Sequence, residues 1–545
     1  MMWCPHSSLM YHYAWILTLP TKILNIYILV SLLASAEFLV LVILRLPTNP
    51  NISLSKIKVF IQFNNMSNNG SRKRPGPASG RATKIRKPRK PISEDEESNE
   101  SSLSDHTQEV PRTPSPLIDM PMLKLPEELL KTFYKTPGVL MIAGLVSWDL
   151  VAKRDNNPSK RTHPNLYTFH KFTERKYRLI VSGCSAGHSI LVSEEGEAYT
   201  FGRNTCGQLG FGDTVTRNVP ELVPDLKGIN IIHAAVGRNH SLFVTDTGAV
   251  YACGDNKSGQ CGLGNTTPQI LKPTRVRHAG APIVKVGCGA EFSMILDCNG
   301  ALHSFGLPEY GQLGHNTDGK YFVTSTKLSF HFETVPKHIA LFFEKSKDGH
   351  ITPVKDVDIV DFSCGNNHTV AIDSQKRAYS WGFGGFGRLG HAEQKDESVP
   401  RLIKYFESQA RGVRSVHCGA TYSLAVNELG VLFMFGQTKR TGEANMYPKP
   451  VQDLTGWNIR SVGTSNTSIV IAADDSLIAW GVSPTYGELG TGDINKSTAR
   501  PKEVTRMEGL NITQVAMGFS HTLLLSDDTA EEVKQKLAAM PTFNP

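Results

Sequence analysis

Four histidines recur at one position of a repeated pattern: His188, His240, His368 and His521. Imidazoles at a fixed spacing are candidate metal ligands. The other copies of the pattern hold Phe292, Tyr422 and Thr467 at this position, and these residues are poor ligands. The pattern therefore favours packed, hydrogen-bonded core side chains over a metal site.

One glycine-rich stretch, from Gly382 to Gly387 (GFGGFG), matches the G-x-G-x-x-G pattern of dinucleotide-binding loops. No helical pattern follows it, and the repeat already requires each of these glycines. The sequence has no G-x-S-x-G, P-loop or zinc-protease motif, and its nine cysteines include no C-x-x-C pair. We therefore expect a protein that is not an enzyme, with no cofactor and no small-molecule substrate.

A short basic tail carries most of the charge. Residues 67–92 hold nine Lys/Arg and no acid, and subtracting them from the net charge of +8 leaves −1 for the rest. Two clusters contain eight of these cations: Arg72, Lys73, Arg74, Lys84, Arg86, Lys87, Arg89 and Lys90. Their spacing is typical of a two-part nuclear localisation signal, and it favours phosphate binding over a merely solvated charge run. Thr113 and Ser115 each precede a proline and are candidate phosphorylation sites.

The N-terminal part divides into two regions. Residues 66–126 lack aromatic residues and predict a disordered tail, first basic and then acidic. Residues 1–65 form an apolar extension whose run from Ile23 to Leu44 is long enough to span a bilayer. This extension is either a membrane anchor or translated upstream sequence ahead of a start at Met66. The second interpretation is more consistent with a nuclear-type tail, so no membrane association is expected unless residues 23–44 are expressed.

Repeats dominate the remainder. Six copies place a glycine 14 residues after the histidine-type position, and two apolar runs within each copy flank a tight-turn dipeptide. Such copies predict antiparallel hairpins. The glycines at 202, 254, 306, 382, 436 and 481 are 52, 52, 76, 54 and 45 residues apart. The long interval indicates an insertion of about 24 residues within 318–353.

Residues 127–526 then hold close to seven units, which predicts an all-β fold, a seven-bladed β-propeller behind the disordered basic tail. The last copy stops after one hairpin. Three N-terminal segments, Val139–Ile142, Leu145–Trp148 and Asn165–Phe172, are predicted to supply its missing strands. Residues 527–545 form a short C-terminal tail that is a candidate helix.

The insertion is the candidate partner surface, because it combines basic and aromatic residues. The candidate contacts are Lys320, Tyr321, Phe322, Lys327, Lys345 and Lys347, accompanied by Lys337, Phe330, Phe332, Phe342 and Phe343. The alternative is a hairpin folded over the ring with its aromatic residues buried. On either reading the repeat offsets around it are preserved, so the insertion is expected to be dispensable to the fold.

The unit of G-x-x-H-S, Phe/Trp-Gly and G-Q-L-G resembles the regulator of chromosome condensation repeat, over residues 137–526. The basic tail, the lead-in from Leu125 and the irregular fifth and sixth copies resemble a mitotic, chromatin- and spindle-associated branch of that family. The resemblance implies small GTPase partners of Rho/Rac or Ral type, with guanine nucleotide exchange factor-like activity. It also implies contacts with chromatin or nucleosomes and with microtubules. The expected locations are the nucleus and nucleolus, mitotic chromosomes, the centromere and the spindle midzone, with a cytoplasmic pool. The alternative is a chromatin or spindle scaffold without exchange activity.

Overall fold

The computed structural model describes residues 26–32, 38–44, 124–151, 163–407, 411–438, 443–481, 485–492 and 498–545. Strands β1 (Ile26–Leu32) and β2 (Phe38–Leu44) form an antiparallel pair in an N-terminal unit of their own. The apolar run from Ile23 to Leu44 therefore contains two strands instead of one continuous helix. Across the described ranges, no helix has both the length and the apolar character needed to cross a membrane.

The second unit is a ring of small antiparallel sheets, or blades. It begins with helix α1 (Glu127–Phe133) and strands β3 (Gly138–Gly144) and β4 (Leu166–Val181). The first blade continues with β5 (His188–Ser193), β6 (Ala198–Gly202) and β7 (Arg217–Leu222). The second comprises β8 (Ile231–Val236), β9 (His240–Thr245), β10 (Val250–Asp255) and β11 (Gln269–Val276).

The third blade and the stretch behind it contain β12 (Ile283–Cys288), β13 (Phe292–Asp297), β14 (Leu302–Gly306), β15 (Lys320–Thr324), β16 (Lys327–Phe330), β17 (Glu333–His338), β18 (Phe343–Lys345) and β19 (Ile351–Pro353). The fourth blade has β20 (Ile359–Cys364), β21 (His368–Asp373), β22 (Ala378–Gly382) and β23 (Glu397–Leu402). The fifth has β24 (Val413–Cys418), β25 (Tyr422–Asn427), β26 (Leu432–Gly436) and β27 (Asn445–Pro450). The sixth has β28 (Ile459–Thr464), β29 (Ser468–Ala473), β30 (Ser476–Gly481) and β31 (Thr498–Glu503). The chain ends with β32 (Asn511–Met517), β33 (His521–Asp527) and helix α2 (Glu531–Ala539).

Ring closure uses both ends of the repeat region, as the sequence predicts. The seventh blade has the order β32-β33-β3-β4, with Val139 of β3 opposite Ser526 of β33. Strand β4 then bends and pairs with β5, so it is the outer strand of the seventh blade and the inner strand of the first. The prediction of a further strand at Leu145–Trp148 is wrong, because Trp148–Leu150 forms a single 3-10 turn.

The core lies between the blades. The described residues form seven apolar clusters, each shared by two neighbouring blades. Between the second and third blades, for example, Leu242 packs with Phe305, and Leu130 of α1 joins the same cluster. Because every blade depends on two neighbours for burial, the seven-bladed, all-β propeller predicted from the repeats behaves as one closed structure.

The stretch 318–353 is not one dispensable insertion, and that expectation is wrong. Strand β17 lies inside it and pairs with β14 as the outer strand of the third blade, and Ile339 and Phe342 are buried in the core between blades. Two separate hairpins flank β17. The first is β15–β16, and the second, β18–β19, adds two strands to the fourth blade through Phe343 and Arg401.

Candidate partner-binding surface

The first strands of all seven blades line a central channel with a cavity of about 270 Å³. An ion pair between Lys285 and Asp361 spans the third and fourth blades there, and the Cys184 thiol donates to Asn366 Oδ1 at 3.3 Å. Burial raises the pKa of the Cys184 thiol to about 12, so it is not a reactive thiolate. The cavity is smaller than an ordinary small-molecule pocket.

The repeated histidines join neighbouring blades. His240 Nε2 lies 2.9 Å from Ser293 Oγ of the next blade, and the serine donates its own proton to the Gln260 carbonyl at 2.7 Å. The histidine must therefore donate, which requires a proton on Nε2. The same contact is made by His188, His368 and His521 to Ser241, Ser423 and Ser189. Burial lowers the pKa of His188 to about 3 and that of His240 to about 4, so these rings stay neutral.

The sixth copy of the repeat does not have the histidine-type residue at the predicted position. Ser468, not Thr467, pairs with Gly481, because the turn between β29 and β30 is one residue shorter than in the other copies. Tyr422 of the fifth blade compensates by donating its hydroxyl proton to the Ser468 carbonyl at 2.9 Å. Tyr422 thus joins the fifth blade to the sixth, as the histidines join neighbouring blades elsewhere.

Hairpin β15–β16 is the most prominent apolar projection described. It lies in the connection from the third to the fourth strand of its blade. The corresponding connections of all blades lie at one end of the ring, which we call the connection face. Phe322 is 72% exposed, and Val323 is 52% exposed. The base of the hairpin is held by the His331 N–H, which donates to the Gly319 carbonyl at 2.8 Å, and by Tyr321, which stacks on His331. An exposed apolar tip on a braced base is a candidate protein contact.

The sequence-predicted surface is divided between the two hairpins. Lys320, Tyr321, Phe322 and Lys327 lie together on β15–β16, with Lys320 paired to Asp318 at 3.1 Å. Lys345 and Lys347 lie on β18–β19, and the Lys345 ammonium is 3.3 Å from Glu393. Phe330, Phe332 and Phe343 are half-buried, and Phe342 is buried. Only part of the predicted set can therefore act as one surface.

A second aromatic cluster lies on the connection face and was missed by sequence reasoning. Phe383 packs against Tyr310 of the third blade, with ring centroids 4.8 Å apart. The Arg388 guanidinium lies 4.6 Å from the Phe383 ring and 5.6 Å from the Phe386 ring. The signal was the arginine itself, since Arg388 stands where the first three copies have glutamine. This is the stretch with the G-x-G-x-x-G match, and it forms a single 3-10 turn at Gly385–Gly387 between strands.

The remaining sequence-predicted residues lie outside the described part of the chain. They are the cations at Arg72, Lys73, Arg74, Lys84, Arg86, Lys87, Arg89 and Lys90 and the phosphorylation candidates Thr113 and Ser115.

Comparison with known proteins identifies the repeat. The family model for the RCC1-like domain matches residues 155–524. Protein RCC2 homolog of Xenopus laevis is 48% identical over 75% of this chain and 82% of its own length. Human protein RCC2 is 48% identical over 75% of this chain and 80% of its own length.

Solved structures show the same fold. Yeast RCC1 (Prp20), in a crystal structure with Kap60, superposes with a TM-score of 0.60 at 18% identity, covering 80% of this chain and 99% of that one. Prp20p of Saccharomyces cerevisiae, described with its binding to Gsp1p and histones, gives a TM-score of 0.58 at 19% identity, with 77% and 98% covered.

Proposed function

The chain belongs to the RCC1-like domain family, and from this premise we propose that it binds and regulates small GTPases through hairpin β15–β16. The partners proposed are GTPases of Rho/Rac or Ral type. The proposal includes association with chromatin, the centromere and spindle microtubules during cell division, and a nuclear and nucleolar location with a cytoplasmic pool.

The exposed hairpin is the observation that carries the proposal. Phe322 and Val323 project from a ring whose blades are locked together by buried histidine–serine contacts. A rigid scaffold with an apolar projection loses little conformational entropy on binding. Prp20p, which shares this fold, is described as binding Gsp1p and histones, and this supports partners of both kinds.

Nucleotide exchange fits this architecture because it requires no bond-making residue. A regulator accelerates release when it binds the nucleotide-free GTPase more tightly than the loaded form. An apolar tip inserted beside the nucleotide site would supply that difference.

A scaffold without exchange activity is the second candidate. The nine cations of residues 67–92 favour it, because such a run would bind phosphates without any contribution from the ring. In that case the chain would hold chromatin or microtubules, and bound GTPases would keep their nucleotide.

Measuring the release of a fluorescent guanine nucleotide from a panel of Rho/Rac- and Ral-type GTPases distinguishes an exchange factor from a scaffold. The full chain should accelerate release from at least one member, and Phe322→Asp should abolish this effect. Leu429→Asp is a matched control, because Leu429 is also 72% exposed but lies in the turn between β25 and β26, at the other end of its blade. Binding without acceleration would support the scaffold, and an effect equal in both variants would exclude the hairpin as the contact.

A further inference from the structure

The fifth blade lacks a loop that the other repeats use to fill the gap to the next blade. The connection between its third and fourth strands runs from Gly436 to Asn445, a spacing of 9 residues, against 15 from Gly202 to Arg217 in the first blade. Residues 437–444 contain no Gly-x-Leu-Gly sequence. The missing length corresponds to the turn itself.

The other blades show what that turn contacts. In the third blade Gln312 offers its carbonyl to the Trp381 indole N–H of the fourth blade at 3.0 Å, and Leu313 is buried between the blades. A Cβ added at Gly311 would lie 2.5 Å from Ser398 on the fourth strand of the next blade. The turn therefore touches the third-strand aromatic residue and the start of the fourth strand in the following blade.

A cavity of about 240 Å³ lies at the equivalent place between the fifth and sixth blades. Its walls include Trp480, which corresponds to Trp381, and Thr498 and Ala499 at the start of β31. The volume equals that of about eight liquid water molecules. The walls that a Gly-x-Leu-Gly turn contacts elsewhere are thus present.

One polar group at this cavity, the Thr498 hydroxyl, is buried without a hydrogen-bond partner in the described ranges. Buried polar groups are ordinarily paired, so an unpaired hydroxyl beside a cavity indicates a position for an incoming polar group.

We propose that this cleft binds a turn of a partner protein that resembles the missing Gly-x-Leu-Gly loop. Its leucine-sized side chain would fill the gap between the blades, and its free carbonyl would accept the Trp480 N–H. The inference rests on the repeats themselves and does not depend on hairpin β15–β16 or on GTPase binding.

The first blade supplies a probe. In its connection the Asn204 side chain donates to the Asp213 carbonyl at 3.1 Å and accepts the Leu209 N–H at 2.9 Å, so the segment is braced internally. A cyclic peptide of residues 204–213 with Cys206→Ser is titrated into the full chain labelled with fluorotryptophan. Fluorine NMR should show a shift of the Trp480 resonance, assigned with Trp480→Phe, and no shift of Trp381. Leu209→Asp in the peptide should weaken binding at least tenfold.

A loop replacement provides a second test of the proposal. Replacing residues 437–444 with residues 203–216 should fill the cleft, raise the urea midpoint of unfolding and abolish the peptide-induced shift. The proposal is overturned if millimolar peptide leaves the Trp480 resonance in place. It is also overturned if the graft lowers the midpoint, because the cleft would then not fit this turn.

Discussion

Glu488 makes the stability of the ring depend on pH. It occupies the glutamine position of the Gly-x-Leu-Gly turn in the sixth blade and is buried. Its carboxylate accepts the Tyr486 N–H at 3.1 Å and the Ser468 hydroxyl at 3.3 Å, and its carbonyl accepts the Thr522 hydroxyl of the seventh blade. Burial raises the pKa of Glu488 from 4.5 to about 7.

Because the pKa of Glu488 is raised in the folded state, the protein loses stability as the pH rises. A carboxyl group whose pKa is raised by folding favours the folded state while protonated, and that stability is lost as the pH rises from about 4.5 to about 7. The difference of about 2.5 pKa units corresponds to an upper bound of about 3 kcal/mol. Glu488→Gln removes the titration and keeps the shape, because Gln312 accepts the Tyr310 N–H in the same geometry at 2.7 Å.

Urea unfolding of the full chain at pH 5 and pH 8 measures this effect. Glu488→Gln should raise the free energy of unfolding by about 2 kcal/mol at pH 8 and by less than about 1 kcal/mol at pH 5. Gln260→Glu places the same group at the equivalent buried position of the second blade and should destabilise mainly at pH 8. If Glu488→Gln shifts stability equally at both pH values, packing and not ionisation is responsible, and the reasoning is refuted.

Three further outcomes are expected. Deleting residues 320–330 should leave the thermal unfolding midpoint nearly unchanged, whereas deleting residues 320–347 should lower it sharply because β17 is lost. Equal midpoints in thermal melts of the two variants would contradict the assignment of β17. His240→Ala should lower the free energy of unfolding by about 3 kcal/mol, because it leaves a cavity and removes a contact between blades; a loss below about 1 kcal/mol by urea titration would show that the joint is weak. Replacing the Lys and Arg residues of 72–90 with neutral residues should reduce DNA affinity and flatten its salt dependence, measured by fluorescence anisotropy at several salt concentrations. A variant whose affinity keeps the parent's dependence on salt would show that the tail does not bind phosphates.

The ring was predictable because its glycines have strict geometric reasons. Gly202 and Gly254 have positive φ angles of 107° and 109°, and a side chain at either would strike the backbone beside His188 or His240. Gly237 lies under the His240 ring, where an added Cβ would be 2.2 Å from the imidazole. Such constraints leave a fixed spacing in the sequence, and the spacing predicts the blades.

Other features of the fold, such as strand β17 and the sixth copy, leave weaker signals in the sequence. Strand β17 is a polar outer strand, so it lacks the apolar run that marks the inner strands in the sequence. Its Val335-Pro336 pair was an available signal, because Val219-Pro220 and Val399-Pro400 mark the same strand in other blades and proline is tolerated at sheet edges. The sixth copy misled because Thr467 has the expected offset of 14, whereas the two-residue turn at Asp474–Asp475 places Ser468 opposite Gly481. Within the candidate surface, sequence reasoning found the hairpin residues but could not foresee that β17 separates them from Lys345.

The shared strand β4 has a consequence for synthesis of the protein on the ribosome. Val139 is translated early, whereas its partner Ser526 in β33 emerges only after the first six blades. Until then β3 and β4 present an unpaired edge, and the inner strand of the first blade belongs to a sheet that lacks half of its strands. Unpaired edges of this kind attract other strands, so the nascent chain needs protection by chaperones until the last hairpin leaves the exit tunnel. Premature termination within the sixth blade would therefore yield an aggregating product instead of a smaller propeller.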